Sequence, residues 1–121
     1  MVPQNFIEKL SVGSKNSSKV GYEAEQFVLL DHSKRNCSII SERLCTPFAE
    51  VDILFRSAKG QVVLLEVKTL SKWAWIETRL GSKQISRLKR ASQFVEGRLG
   101  ESVQICAAFV MKDKIIYLNV D

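Results

Sequence analysis

Four successive apolar residues, Val62-Val63-Leu64-Leu65, run straight into Glu66-Val67-Lys68. A strand turns successive side chains to opposite faces, so this segment is apolar on both. That pattern suits an interior strand of a sheet covered on both sides. Charges at the end of such a strand are costly unless they are paired, bound to metal or used. A second acidic stretch, Glu50-Val51-Asp52, lies shortly upstream and also reads as strand. The period of two predicts that Glu50 shares a face with Asp52, and Glu66 with Lys68.

The rest of the chain fits around this pair of strands. A helix is expected from about Ser18 to Asp31, with Ser17 or Ser18 as N-cap and Val20, Ala24, Phe27 and Val28 as its apolar stripe. At helical spacing Glu23 falls on the edge of that stripe and Glu25 away from it, so Glu23 is expected to face inward and Glu25 outward. Residues 37–44 read as a strand, and 51–56 and 61–69 as two more, joined by a hairpin turn at Ala58-Lys59-Gly60. A loop at 70–81 carries Trp73 and Trp75. Ser82 is expected to cap a helix over 83–97, with Ile85, Leu88, Ala91, Val95 and Leu99 inward and Gly97 and Gly100 ending it. Gln84, in the first turn, is the polar exception on that inward face; taken alone, a helix-capping or border position explains it more simply. Strands follow at 103–111 and 114–120, turning at Lys112-Asp113. The order α-β-β-β-α-β, plus one strand, predicts a mixed α/β sheet with a helix on each face.

The 121 residues suit one domain. Residues 1–17 read as an N-terminal extension: a short helix over 3–10 and then a flexible link. The domain proper is expected over 18–121. With 45% hydrophobic residues the chain is expected to be globular, and its net charge of +5 fits a polyanionic partner. Cys37, Cys45 and Cys106 show no CxxC spacing and read as reduced thiols of a cytoplasmic protein, with no zinc site. The single histidine, His32, argues against histidine-based catalysis and is expected simply to end the first helix. No stretch approaches the roughly 20 apolar residues of a membrane span.

Asp52 and Glu66 on neighbouring strand ends would hold Mg²⁺ or Mn²⁺, which takes oxygen ligands, with the Val67 carbonyl as a third donor. Such an ion activates water and offsets charge at phosphorus, the two needs of phosphodiester hydrolysis. Lys68 would orient the water. Glu23 would reach the site from its helix, Glu50 is a further acidic candidate, and Gln84 would face the site from the second helix.

These residues resemble the signature of the PD-(D/E)XK nuclease superfamily: an acid on the second strand, Asp52, and (D/E)-x-K on the third, Glu66-Val67-Lys68. The superfamily's core has the same αβββαβ order, the restriction-endonuclease-like fold. Val51 stands where the superfamily commonly has proline. The chain is more closely similar to the YraN-like family of small bacterial proteins, which look related to archaeal Holliday-junction resolvases. The family's stretches read here as Ala49-Glu50-Val51-Asp52-Ile53-Leu54, as Leu65-Glu66-Val67-Lys68-Thr69-Leu70, and as Lys83 to Ala91, slightly shifted. Ala49 replaces the family's glycine, Leu70 its arginine, and its Gly-Glu-x-x-Ala is distorted to Gly21-Tyr22-Glu23-Ala24. The resemblance spans about residues 19–111. It implies a metal-dependent DNA nuclease fold, with branched or damaged DNA as substrate. A resolvase cuts two strands symmetrically, which implies a homodimer.

Lys83, Arg87 and Arg90 are expected to form one basic face of the second helix, with Lys72 and Arg79 in the preceding loop, all suited to phosphates. Trp73 and Trp75 would stack on exposed bases or wedge into a distorted duplex, although loop tryptophans more often pack on the domain or at a dimer contact. The expected function is therefore a metal-dependent DNA endonuclease, with a metal-dependent RNase as a secondary enzymatic reading. The alternatives of another class are a non-catalytic nucleic-acid-binding or scaffold module that retains the fold, and a purely protein-interacting domain.

Overall fold

The structure, a computed structural model, describes residues 19–71 and 80–120. Helix α1 spans Lys19–Lys34 and is followed by strands β1 (Ser38–Cys45), β2 (Glu50–Arg56) and β3 (Val62–Thr69). Helix α2 (Ser82–Leu99) leads to β4 (Val103–Met111) and β5 (Lys114–Asn119). The five strands form one sheet in the order β1-β2-β3-β4-β5. All neighbours are antiparallel except β3 and β4, which run parallel because α2 carries the chain back across the sheet. The expected mixed α/β architecture, αβββαβ with one added strand, is what forms.

The apolar run in β3 behaves as its pattern predicts. Val62 and Leu64 enter a core with Leu88, Ala91 and Val95 of α2, while Val63 and Leu65 enter a second core with Ala24 and Val28 of α1. The sheet is thus covered on both faces, and β3 is its buried centre. The hairpin turn between β2 and β3 needs Gly60, whose φ of 91° is unfavourable for a residue with a Cβ. Gly100, at φ 71°, closes α2 in the left-handed conformation and donates its N–H to the Glu96 carbonyl.

Several expectations about boundaries need correction. α1 continues to Lys34, three residues past the expected end. The N-cap of α2 is Gly81, with no side-chain cap, and Ser82 is already helical. Gly97 lies inside that helix and does not end it. His32 lies in the last turn of α1, as expected, but it is also core: it is buried, its Nδ1 lies 3.0 Å from the Val28 carbonyl oxygen, and its ring meets Phe55 and Tyr117 edge-on. The expected N-terminal helix and link, the Ser17 or Ser18 cap, and most of the 70–81 loop lie outside the described residues.

Candidate active site

The β2–β3 ladder pairs Arg56 with Val62 and stops at Ile53 with Leu65. Past that point Asp52 takes over: its Oδ2 accepts the Val67 backbone N–H at 2.8 Å. A carboxylate therefore fills a wedge between two strand ends that would otherwise be zipped. In a strand the N–H and C=O of one residue point the same way, so the Val67 carbonyl also faces this wedge.

The pleat breaks at the same place. Val51 belongs to the core under α2 and Ile53 to the core under α1, although residues two apart in a regular strand share a face. The irregularity is matched on β1, where Arg43 lies between the pairs Glu42–Ile53 and Leu44–Val51 and adopts a left-handed φ of 51°. A non-glycine residue in that conformation inside a strand is strained. The simple period of two that put Glu50 and Asp52 on one face therefore does not hold through this stretch. Glu50 is exposed at the rim of a cleft, while Asp52 lies in the wedge.

Glu66 is the most buried acid of the site, 6% exposed. Its Oε2 accepts from Gln84 Nε2 at 2.5 Å and lies 3.1 Å from Lys68 Nζ. Gln84 sits in the first turn of α2 on its inward face, as its position in the apolar stripe predicts. Burial, first, and then the charge of Glu66 push Asp52 up to about 8, opposed by the Val67 N–H and by Lys68. A carboxyl group buried beside a second one gives up its proton less readily.

The helix acid nearest the site is Glu25, and the expected roles of Glu23 and Glu25 are reversed. Glu25 is 7% exposed, whereas Glu23 is exposed beside Phe27, Thr69 and Lys112, at a separate hollow. Arg43 Nε reaches Glu25 Oε1 at 3.4 Å. Burial raises the Glu25 carboxyl above the usual range, the Asp52 charge adds to this, and Arg43 opposes it. The wedge is thus approached by Glu25 from the α1 side and by Gln84 from the α2 side. The sequence signal for Glu25 was His32: its ring is core, and including it in the apolar stripe turns the inward face of α1 toward Glu25.

A cleft of about 280 Å³ opens at Glu66 and Gln84, with Glu50, Arg87 and Phe48 also in its lining. A larger cavity of about 400 Å³ lies between α2 and β5, is lined by residues such as Leu80, Ile85 and Leu118, and has no acid among its described lining residues. Lys83, Arg87 and Arg90 are all exposed on α2, and of the three Arg87 lines the cleft. Lys72, Trp73, Trp75 and Arg79 lie outside the described residues.

Among the described residues no group of three or more His, Cys, Asp or Glu side chains is arranged to hold a metal ion. The donors present are the carboxylates of Asp52 and Glu66 and the Val67 carbonyl. Their chemistry suits a hard cation such as Mg²⁺, which commonly takes one or two carboxylates and completes its shell with water and phosphate oxygens. The raised Asp52 carboxyl is what a cation would relieve.

No family model matches the chain, and no curated protein matches it. Among solved structures, one titled "Crystal structure of SSO0001" is similar at a TM-score of 0.43 and 9% identity, covering 87% of this chain and 53% of that one. The chain therefore spans about half the length of that protein. No helix among the described residues is long and apolar enough to cross a membrane.

Proposed function

We propose that the chain is a metal-dependent DNA endonuclease acting at the Asp52–Glu66–Lys68 wedge. The observation that carries this reading is the convergence of those three side chains, with Gln84, at a point where two strands part and the pleat is broken. Asp52, Glu66 and the Val67 carbonyl would hold Mg²⁺ or Mn²⁺, which when bound supplies an activated water and neutralises charge at the phosphorus. Lys68 lies within reach of Glu66 and would hold the attacking water while offsetting phosphate charge. Gln84 fixes the Glu66 carboxylate by a hydrogen bond, and Glu25 adds negative charge behind Asp52. Arg87, on the rim, would meet a phosphate next to the scissile one. The resemblance to YraN-like proteins supports DNA as substrate and branched DNA as its form. Symmetric cutting of a branch would then need a homodimer.

A second reading, a binding module that keeps the fold without cutting, draws on one observation. Among the described residues no buried side-chain nitrogen or oxygen lacks a partner, as a purely structural network would also have it. Against it stands the cost of keeping Asp52 beside Glu66, which a structural network has no need to bear.

The test is cleavage of labelled single-stranded, duplex, flap and four-way-junction DNA in Mg²⁺, Mn²⁺ or EDTA. Metal-dependent cutting is expected. Salt-sensitive binding that ignores metal and never yields product would favour the binding module.

A further inference from the structure

Phe48 is a large apolar side chain left 42% exposed on the lip of the cleft that contains Glu66 and Arg87. It is held there by a rigid turn between β1 and β2. Thr46 Oγ1 donates to the Ala49 carbonyl at 2.7 Å and accepts from the N–H groups of Phe48 at 3.2 Å and Ala49 at 3.1 Å. The one donor and two acceptor positions of this hydroxyl are all used, so the turn has little freedom. Behind Phe48 lies Phe94 of α2, edge-to-face at 6.5 Å between centroids, and the Arg98 guanidinium stands 4.8 Å from the Phe94 ring centre.

A phenylalanine placed only to cover Phe94 would gain by sinking further against it. An exposed ring on a stiff turn is suited to receive another planar group, because little conformational entropy is lost on contact. The cleft that Phe48 borders carries the acids Glu50 and Glu66 and one cation, Arg87. Arg98, eleven residues further along α2 and so on the same side of the helix, adds a second cation beyond Phe94. Arg87 and Arg98 suit a phosphate backbone, and an exposed aromatic ring near such cations accepts a nucleobase by stacking.

We infer that Phe48 is a stacking platform for one unpaired nucleobase, and that the substrate class is DNA with at least one nucleotide out of the stack beside the scissile phosphate. A base inside a perfect duplex shows no free face to Phe48, whereas a bulge, a frayed end or a branch point does. The inference rests on the nuclease reading of the wedge and narrows its substrate.

The experiment uses the full chain in EDTA, so that binding is read without cleavage. Fluorescence anisotropy compares a perfect duplex, the same duplex with one unpaired 2-aminopurine, and the same bulge with an abasic site. The wild type should bind the unpaired-base duplex about tenfold more tightly than either other, the size expected of one stacked base, and should change the 2-aminopurine emission as the base leaves its neighbours. Phe48→Leu, which keeps apolar bulk but has no π face, should bind all three alike and lose the emission change; Phe48→Trp should retain the preference. Equal affinity for the three duplexes in the wild type, or a preference that survives Phe48→Leu, overturns the inference. Metal-dependent cleavage with no such preference would overturn the inference and leave the nuclease reading intact. A Phe48-dependent preference without cleavage in Mg²⁺ or Mn²⁺ would sink the nuclease reading while the platform stands.

Discussion

Asp52 Oδ2 accepts the backbone N–H of Val67 at 2.8 Å, and by doing so it replaces the next rung of the β2–β3 ladder with a side chain. The same carboxyl group adjoins Glu66. Both strand ends are held apart by an acid whose ionisation the surroundings oppose.

The Asp52 carboxyl is raised from an ordinary 3.8 to about 8, by burial and then by Glu66. Between those two values the folded protein holds a proton that the unfolded chain has released. Stability from this group is therefore complete below about pH 4 and is lost as pH rises toward 8, by up to about 1.4 kcal/mol per pH unit. Thermal unfolding in EDTA should show that decline. Asp52→Asn retains an acceptor for the Val67 N–H and removes the titration, so its melting temperature should fall less between pH 5 and pH 8 than the wild type's.

Divalent metal should reverse the decline. Mn²⁺ at about 100 times its dissociation constant would stabilise the wild type by about 2.7 kcal/mol. The gain in melting temperature should be larger at pH 8 than at pH 6, since protons compete for Asp52, and should vanish in Asp52→Asn. Differential scanning fluorimetry reads both.

Glu25 and Glu23 separate cleanly. Glu25→Gln removes a buried charge beside Asp52 and should lower metal affinity or cleavage by about 10- to 100-fold, as the loss of an outer-shell partner does. Glu23→Ala, at an exposed position, should change neither by more than about twofold. Equal effects of the two would contradict the assignment of Glu25 to the site.

Leu64 is fully buried at the centre of the sheet, under α2. Leu64→Ala should destabilise the fold by about 2–5 kcal/mol in urea unfolding. Its effect should be independent of pH and metal, unlike the effects at the wedge.

Much of this architecture is legible in the sequence because β3 is apolar on both faces, and only a twice-covered sheet buries such a strand. Gln84 is marked in the sequence as a polar residue in an apolar stripe, although its place in the first turn fits a capping or border position as well. Glu25 is not marked at all. A stripe through Phe27 leaves out His32, because a histidine does not read as core; the inward face runs through Val28 and His32 and carries Glu25 with it. The break at Asp52 is also hidden: it falls opposite the left-handed backbone of Arg43, and nothing about an arginine announces that conformation. Phe48 was invisible for a related reason: its exposure is set by the Thr46 turn and by the position of α2, and neither follows from local pattern.

The most direct measurement is single-turnover cleavage of labelled four-way-junction and duplex DNA by the wild type and Lys68→Ala, purified in parallel, in Mn²⁺ and in EDTA. Cutting by the wild type in Mn²⁺ alone is expected, with a loss of at least about 100-fold in Lys68→Ala while its fold and DNA affinity are kept. Equal cutting by the two proteins, or none by the wild type in any divalent metal, would contradict the nuclease reading.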